Sequence, residues 1–203
     1  MTEPVAHRTR KRRLDAERSR AAVLDAAIAV LGRRADASID DIAAAAGVVR
    51  QTVYAHFPSR QALLGAVTDH LTTETARTLD TLDLTTPPAE EALRRWLDAS
   101  WDIVERYPVL LTAVVADAVP PTDELDQHRP VTAQLIDLIR RGRRARAFET
   151  RLSEDWIVSA VIALGHAAGQ QVAAGRMSPE EAGAAYRDSV LRLVLQRPTG
   201  EHG

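Results

Sequence analysis

The sequence predicts an all-α protein, and three observations carry that prediction. Apolar residues recur at intervals of three and four over most of the chain. No stretch shows the apolar–polar alternation of a strand. Ser38 and Ser178 each stand three residues before an acid, the pattern of a capping box at a helix start. With 203 residues, 45% hydrophobic and 27% charged, the chain has room for one large domain, or for a small module joined to a larger one.

Residues 1–13 are polar, lack periodicity and end in the cluster Arg8, Arg10, Lys11, Arg12, Arg13, so the reading is a flexible basic arm over 1–14. From Asp15 the pattern turns helical: Val23, Ala27, Val30 and Leu31 form one stripe, widened by Leu24 and Ile28. Gly32 and the polar run to Ala37 close that helix. Ser38, with Asp41 at the box position, opens a short second helix whose small apolar face is Ile42, Ala43 and Ala46, ended by Gly47. A third short helix runs from Arg50 to Phe57 and stops at Pro58. Ser59 caps a longer fourth helix carrying Leu63, Leu64, Val67 and Leu71, expected to reach about Leu82.

Thr85-Thr86-Pro87-Pro88 is the clearest break in the chain. Beyond it, helices are expected at about 88–106, 108–118, 130–146, 153–175 and 178–196, with 120–129 as a connector. The last helix has a full entry signal in Ser178, Pro179 and Glu181.

Composition excludes several function classes. There are no cysteines, which removes disulfide scaffolds, thiolate nucleophiles, Cys-type zinc sites and thiol redox sensing. No apolar run is expected to reach the ~18–20 residues of a membrane span, and no apolar core follows the basic N-terminus, so a cytoplasmic protein is expected. GxSxG, GxxxxGK[ST], HExxH and the dinucleotide-binding glycine fingerprint are all absent, so no catalytic residues and no cofactor are assigned. Asp117, Asp123, Glu124 and Asp126, with His128 nearby, match no metal-ligand loop and read as a solvated connector, so no metal site is assigned.

The net charge of −2 divides unevenly. Residues 1–60 hold 11 basic against 7 acidic residues (+4), and residues 61–203 hold 15 against 21 (−6). A basic N-terminal part on an acidic remainder points to a local nucleic-acid contact. Of the 26 basic residues only Lys11 is a lysine, which lowers the weight any one arginine carries.

Two short helices joined by a tight turn around a glycine form a helix-turn-helix. Ile42, Ala43 and Val48 let the two helices cross closely, and Gly47 supplies the turn. The outer face of the second helix then protrudes far enough to enter a major groove about 12 Å wide. That face would carry Arg50, Gln51, Thr52, Tyr54, Ala55 and His56. Arg suits the two acceptors of guanine, Gln suits the donor–acceptor pair of adenine, and Thr52 can meet a thymine methyl or a phosphate. Tyr54, His56 and Arg60 read as backbone contacts that set register, with packing as the alternative for Tyr54 and His56. The basic arm either lies along phosphates or in a minor groove, or is a solubilising tail.

The run Ile42 to Phe57, followed by Ser59-Arg60-Gln61-Ala62-Leu63-Leu64 and preceded by Val23-Leu24-Asp25-Ala26-Ala27, resembles the TetR-type (TetR/AcrR) family of bacterial transcriptional regulators. The match covers roughly residues 16–65. Val49 stands where the family has a capping Ser, and Ala35 where a Gly follows the first helix.

The resemblance implies an N-terminal three-helix DNA-binding module (15–60), joined by a long helix to a C-terminal helical effector-binding and dimerisation domain (61–203). It also implies that Arg50, Gln51, Thr52, Tyr54, His56 and Arg60 face DNA. The implied function is a homodimeric repressor, released from a palindromic double-stranded operator by a small-molecule effector.

Two short recognition helices must stand ~34–36 Å apart to read a duplex together, which itself asks for a dimer. Ile157, Val161, Leu164 and Ala168 on one helix, and Tyr186, Val190 and Leu193 on the next, are expected at that interface, with covering of the chain's own core as the alternative. Trp101, Tyr107, His128, Trp156, His166 and Gln170 are candidates for the ligand pocket. A helical adaptor acting through its acidic C-terminal domain, and an activator on the same fold, are the alternative functions.

Overall fold

The computed structural model describes residues 3–111 and 129–195, with eight α-helices among them. They are α1 (Glu3–Arg33), α2 (Ile39–Ala45), α3 (Arg50–His56), α4 (Arg60–Asp80), α5 (Ala89–Arg106), α6 (Arg129–Arg144), α7 (Glu154–Ala173) and α8 (Pro179–Val194). A 3-10 turn, Pro108–Leu111, follows α5. The rest of the helix expected over 108–118, the 120–129 connector, its acidic residues and His128 lie outside the described residues.

The first helix corrects an expectation. It was to begin at Asp15 and instead begins at Glu3, so the basic cluster is helical. Periodicity is a signal of packing, and Arg10, Arg12, Arg13 and Leu14 are exposed, so no apolar stripe is required there. Arg, Lys, Ala and Leu are good helix formers, and Pro4 sits in the first turn, where its missing N–H costs nothing. The packed half of α1 propagates backwards through them.

Two hydrophobic cores follow. The N-terminal one gathers Val23, Leu24, Ala27 and Leu31 of α1, Ile39, Ile42 and Ala43 of α2, Val53 and Phe57, and Leu63, Leu64, Val67 and Leu71 of α4. The second holds Leu79 of α4 with the buried faces of α5 to α8. The boundary between cores therefore falls inside α4, between Leu71 and Leu79, and not at residue 60. Val109 crosses this division: it follows α5 yet is fully buried in the N-terminal core, and Tyr107 packs on both.

Carbonyl-seeking arginines tie the second unit together. Arg141 of α6 donates to the carbonyls of Thr85 (2.9 Å) and Pro87 (2.7 Å), clamping the α4–α5 connection that reads as a break in the sequence. Arg143 donates to the carbonyls of Glu149 (3.0 Å) and Leu152. After α6 the chain turns so that fully buried Phe148 packs on Gly142 and pairs with Leu195 in an isolated bridge. A Cβ at Gly142 would overlap the Phe148 ring, so only glycine fits that approach.

α7 overturns another expectation. It contains an 18-residue window of mean hydropathy 1.2, long and apolar enough to cross a membrane by length and composition, yet only 28% of that window is buried within the chain.

Candidate nucleic-acid interface

The geometry of the helix-turn-helix comes from local chemistry. The Ser38 hydroxyl accepts from Asp41 N (3.2 Å), and Asp41 Oδ2 accepts from Ser38 N (2.8 Å), closing the capping box at the start of α2. The Ser38 hydroxyl, which also donates to Asp41 Oδ2 (2.6 Å), and the Ser38 N–H, reinforced by Arg34 at 2.6 Å, hold the Asp41 pKa down to about 2. At the far end Gly47 has φ +67°, and the bonds Gly47 N to Ala44 O (3.2 Å) and Val48 N to Ala43 O (3.0 Å) form a Schellman motif. That αL residue redirects the chain into α3 after only two further residues.

α3 has one inward residue, Val53, fully buried against α1 and α2. Arg50, Gln51, Tyr54 and Ala55 are exposed on the opposite side, while Thr52 and His56 are half-buried. Val49, the N-cap, makes no side-chain bond and is 68% exposed, as expected for a residue with no acceptor.

Arg50 is not free. Its Nη1 donates to Asp40 Oδ2 on α2 at 2.6 Å and its Nη2 to the Tyr54 hydroxyl at 3.3 Å, with the guanidinium 5.4 Å from the Tyr54 ring centre. The Tyr54 bond and the Asp40 charge raise the Arg50 pKa. Asp40 was not singled out from the sequence, because a separation of ten residues across a turn has no periodic signature. Arg20 of α1 was missed for the same reason; its guanidinium lies 5.0 Å over the Phe57 ring.

Arg60 takes a different place from the one expected. Its guanidinium donates to the carbonyls of Ala37 and Ala35 (3.2 Å), in a half-buried position. It fastens the start of α4 to the α1–α2 connection, the turn in which Ala35 replaces glycine. His56 meets Phe57 edge-on at 6.4 Å, so it also braces the module.

The described residues expected at the ligand pocket differ in setting. Trp101 is buried, donates from Nε1 to Glu105 Oε1 (2.7 Å) and lies 5.9 Å from the Tyr186 ring. Trp156 is 60% exposed and Gln170 is exposed, both on α7, where His166 is half-buried. Tyr107 alone among them lines a described cleft, at the α1–α4–α5 junction.

The expected dimer residues are mostly turned inward: Ile157, Val161, Ala168, Tyr186 and Val190 are buried in the chain's own second core. Burial within one chain leaves no surface for a partner, so those five serve folding. Leu164 and Leu193 are half-buried. Burial also raises the Tyr186 hydroxyl pKa to about 12, with a bond to Ser100 acting in the opposite direction.

Residues 23–67 match the model of the bacterial regulatory proteins of the tetR family. The HTH-type transcriptional repressor LfrR of Mycolicibacterium smegmatis is 41% identical over 131 residues, 64% of this chain and 68% of that protein. The HTH-type transcriptional repressor Rv3405c of Mycobacterium tuberculosis is 35% identical over 145 residues, 68% of each chain. The crystal structure of LfrR in complex with proflavine superimposes with a TM-score of 0.60 at 26% identity, covering 89% of this chain and 99% of that one. A Schellman-turned helix pair with an outward Arg50–Gln51–Tyr54 face, on an all-α body shared with these proteins, makes the chain a DNA-binding transcriptional regulator, and it belongs to the tetR family of bacterial regulatory proteins.

Proposed function

We propose that this regulator acts as a homodimeric repressor, bound in the cytoplasm to a palindromic operator and released by a small-molecule effector. The observation that carries the reading is the outward face of α3, where Arg50, Gln51 and Tyr54 stand exposed together on one short, firmly turned helix. Arg50 and Gln51 read base edges, Tyr54 and Thr52 meet the backbone, and His56 and Arg60 hold the module in shape. The exposed arginines of the first turns of α1 add phosphate contacts.

One seven-residue recognition helix covers few base pairs, so specificity rests on two copies. The low internal burial of apolar α7 supports that pairing, because it leaves Trp156, Ala163 and Ala167 exposed at helical spacing on one outer stripe. Small residues there permit close helix–helix approach around a two-fold axis. The proflavine complex of LfrR supports a small-molecule effector. The regulatory role and the relatives named as repressors support a non-enzymatic function.

Selection of binding sites from random duplexes tests the reading. Enriched sites should be inverted repeats with half-sites one helical turn (~34–36 Å) or a multiple apart, and the complex should contain two chains per half-site pair or a multiple of two. Ala167→Glu should give monomers by sedimentation and abolish selection. Asymmetric sites bound by single chains would overturn the dimeric mode.

A further inference from the structure

A cleft of about 430 Å³ opens where the last turns of α1, the middle of α4 and the end of α5 meet. Its charged groups are Asp25 and Arg33 of α1, His70 of α4 and Arg106 of α5; Ile28, Tyr107 and Pro108 supply apolar surface. Among the described residues, none of those four charged or titratable side chains has an ion-pair or hydrogen-bond partner. This distinguishes them from the other arginines near the two cores, since Arg34, Arg50, Arg60, Arg141 and Arg143 are all engaged.

Among the described lining residues, two guanidiniums stand against one carboxylate, with an imidazole beside them, an excess of positive charge. Guanidinium presents a planar fork that matches a carboxylate in two parallel bonds. The volume lies in the range of small-molecule sites, and the apolar wall suits a compact hydrocarbon body. The location matters as much as the composition. Gly32 on the cleft wall faces the Val109 backbone, whose N would lie 3.4 Å from a side-chain Cβ at that position, and Val109 is the residue that carries the end of α5 into the N-terminal core.

We propose that this junction cleft binds a small organic carboxylate, with its charged end on Arg33 and Arg106 and its apolar body on Ile28, Tyr107 and Pro108. An occupant joins α1 to the end of α5 and therefore favours one setting of the DNA-reading unit against the body. The inference goes beyond the effector reading above, because it names a ligand class and a site at the α1–α4–α5 junction that shares only Tyr107 with the residues expected at the effector pocket. Its test uses no DNA, so its failure leaves that reading untouched.

The experiment titrates the full chain with sodium benzoate and follows backbone ¹H–¹⁵N signals, with sodium chloride at matched ionic strength and inorganic phosphate as comparisons. Benzoate should saturate, in the millimolar range or tighter, with shifts centred on residues 28–33 and 106–109. Arg33→Gln and Arg106→Gln should each weaken it about tenfold, the scale of one lost hydrogen bond to a charged group. Asp25→Asn should tighten it, and as an exposed conservative change it keeps the proposal testable if an arginine variant folds poorly. Absence of saturation, equal shifts from sodium chloride, phosphate binding as tightly as benzoate, or affinity unchanged by Arg33→Gln and Arg106→Gln together would each overturn the assignment.

Discussion

Asp40 offers the sharpest test of how the recognition helix works. It holds Arg50 at 2.6 Å, yet the two side chains are 60% and 56% exposed, so solvent screens the pair and it contributes little to stability. Asp40→Asn should therefore lower the melting temperature by no more than about 2–4 °C. On DNA two larger effects oppose one another. Removing a negative charge ~10 Å from a phosphate relieves about 0.4 kcal/mol of repulsion in water, less once salt screens it, so affinity for random duplex should rise about twofold at most.

Against that, the guanidinium loses the partner that fixes its fork, and an unrestrained arginine side chain carries about 2 kcal/mol of rotamer entropy to be lost on docking. A bidentate arginine–guanine pair provides about 1–3 kcal/mol of discrimination, a factor of about 5 to 150 per half-site. Asp40→Asn should forfeit a sizeable part of it. Fluorescence anisotropy on a selected site and on a scrambled duplex, at several salt concentrations, separates the two terms. The preference for the selected site should fall while scrambled binding holds or improves. A double-mutant cycle closes the argument: if Arg50→Ala costs as much in the Asp40→Asn background as in the natural chain, Asp40 does not position Arg50 and the reasoning is refuted.

Three further outcomes follow from the same geometry. Asp41 has its pKa lowered from 3.8 to about 2, so its ionised form stabilises the fold at any pH above 3.8 and that stabilisation disappears as pH falls from 3.8 towards 2; Asp41→Ala should lower the urea midpoint at neutral pH and lose less between those two values than the natural chain does. Arg146 sits at φ 57° and closes α6 with the bonds Arg146 N to Arg143 O and Ala147 N to Gly142 O, a Schellman turn built without glycine. Relief of about 1–2 kcal/mol of left-handed strain, less about 0.4–1 kcal/mol of unfolded-chain entropy, predicts that Arg146→Gly raises the melting temperature, by up to about 6 °C; a melting temperature below that of the natural chain would show that the strain is absent. Phe148→Ala should cost about 3–5 kcal/mol, and Gly142→Ala about 1–3 kcal/mol by overlap with the same ring, both read from urea unfolding at fixed protein concentration.

Which features were legible in the sequence depends on the distance over which each is determined. The α2 capping box, the Gly47 turn, the Ser59 and Ser178 starts and the inward Val53 are decided by residues within about one helical turn, and all stand where the pattern places them. The α7 and α8 stripes were legible as stripes, but an apolar face does not say whether its cover comes from its own chain or a second one. Ile157, Val161 and Val190 turn inward, and the outer stripe that remains exposed on α7 is the less apolar one, built of Trp156, Ala163 and Ala167. The start of α1 was invisible to periodicity because Arg10, Arg12 and Arg13 are exposed and no apolar stripe is needed there.

The arginines make the same point chemically. One side-chain type, repeated 25 times, serves as ion-pair partner and loop clamp, and in the roles proposed above as base reader and cleft charge, and composition cannot sort these roles. What sorts them is the nearest acceptor. Where a helix end or loop exposes unpaired carbonyls, as at Ala35, Ala37, Thr85, Pro87 and Glu149, an arginine is drawn in and satisfies them, because a buried carbonyl left unpaired costs about 1–3 kcal/mol. Where the nearest acceptor is an exposed carboxylate, as for Arg50, the bond is weak enough to be reshaped by a stronger polyanion. Where no acceptor among the described residues is within reach, as for Arg33 and Arg106, the charge is the one proposed above to meet an anion from solution. The division of labour therefore follows from backbone polar groups the fold leaves open, which exist only once the helices have met.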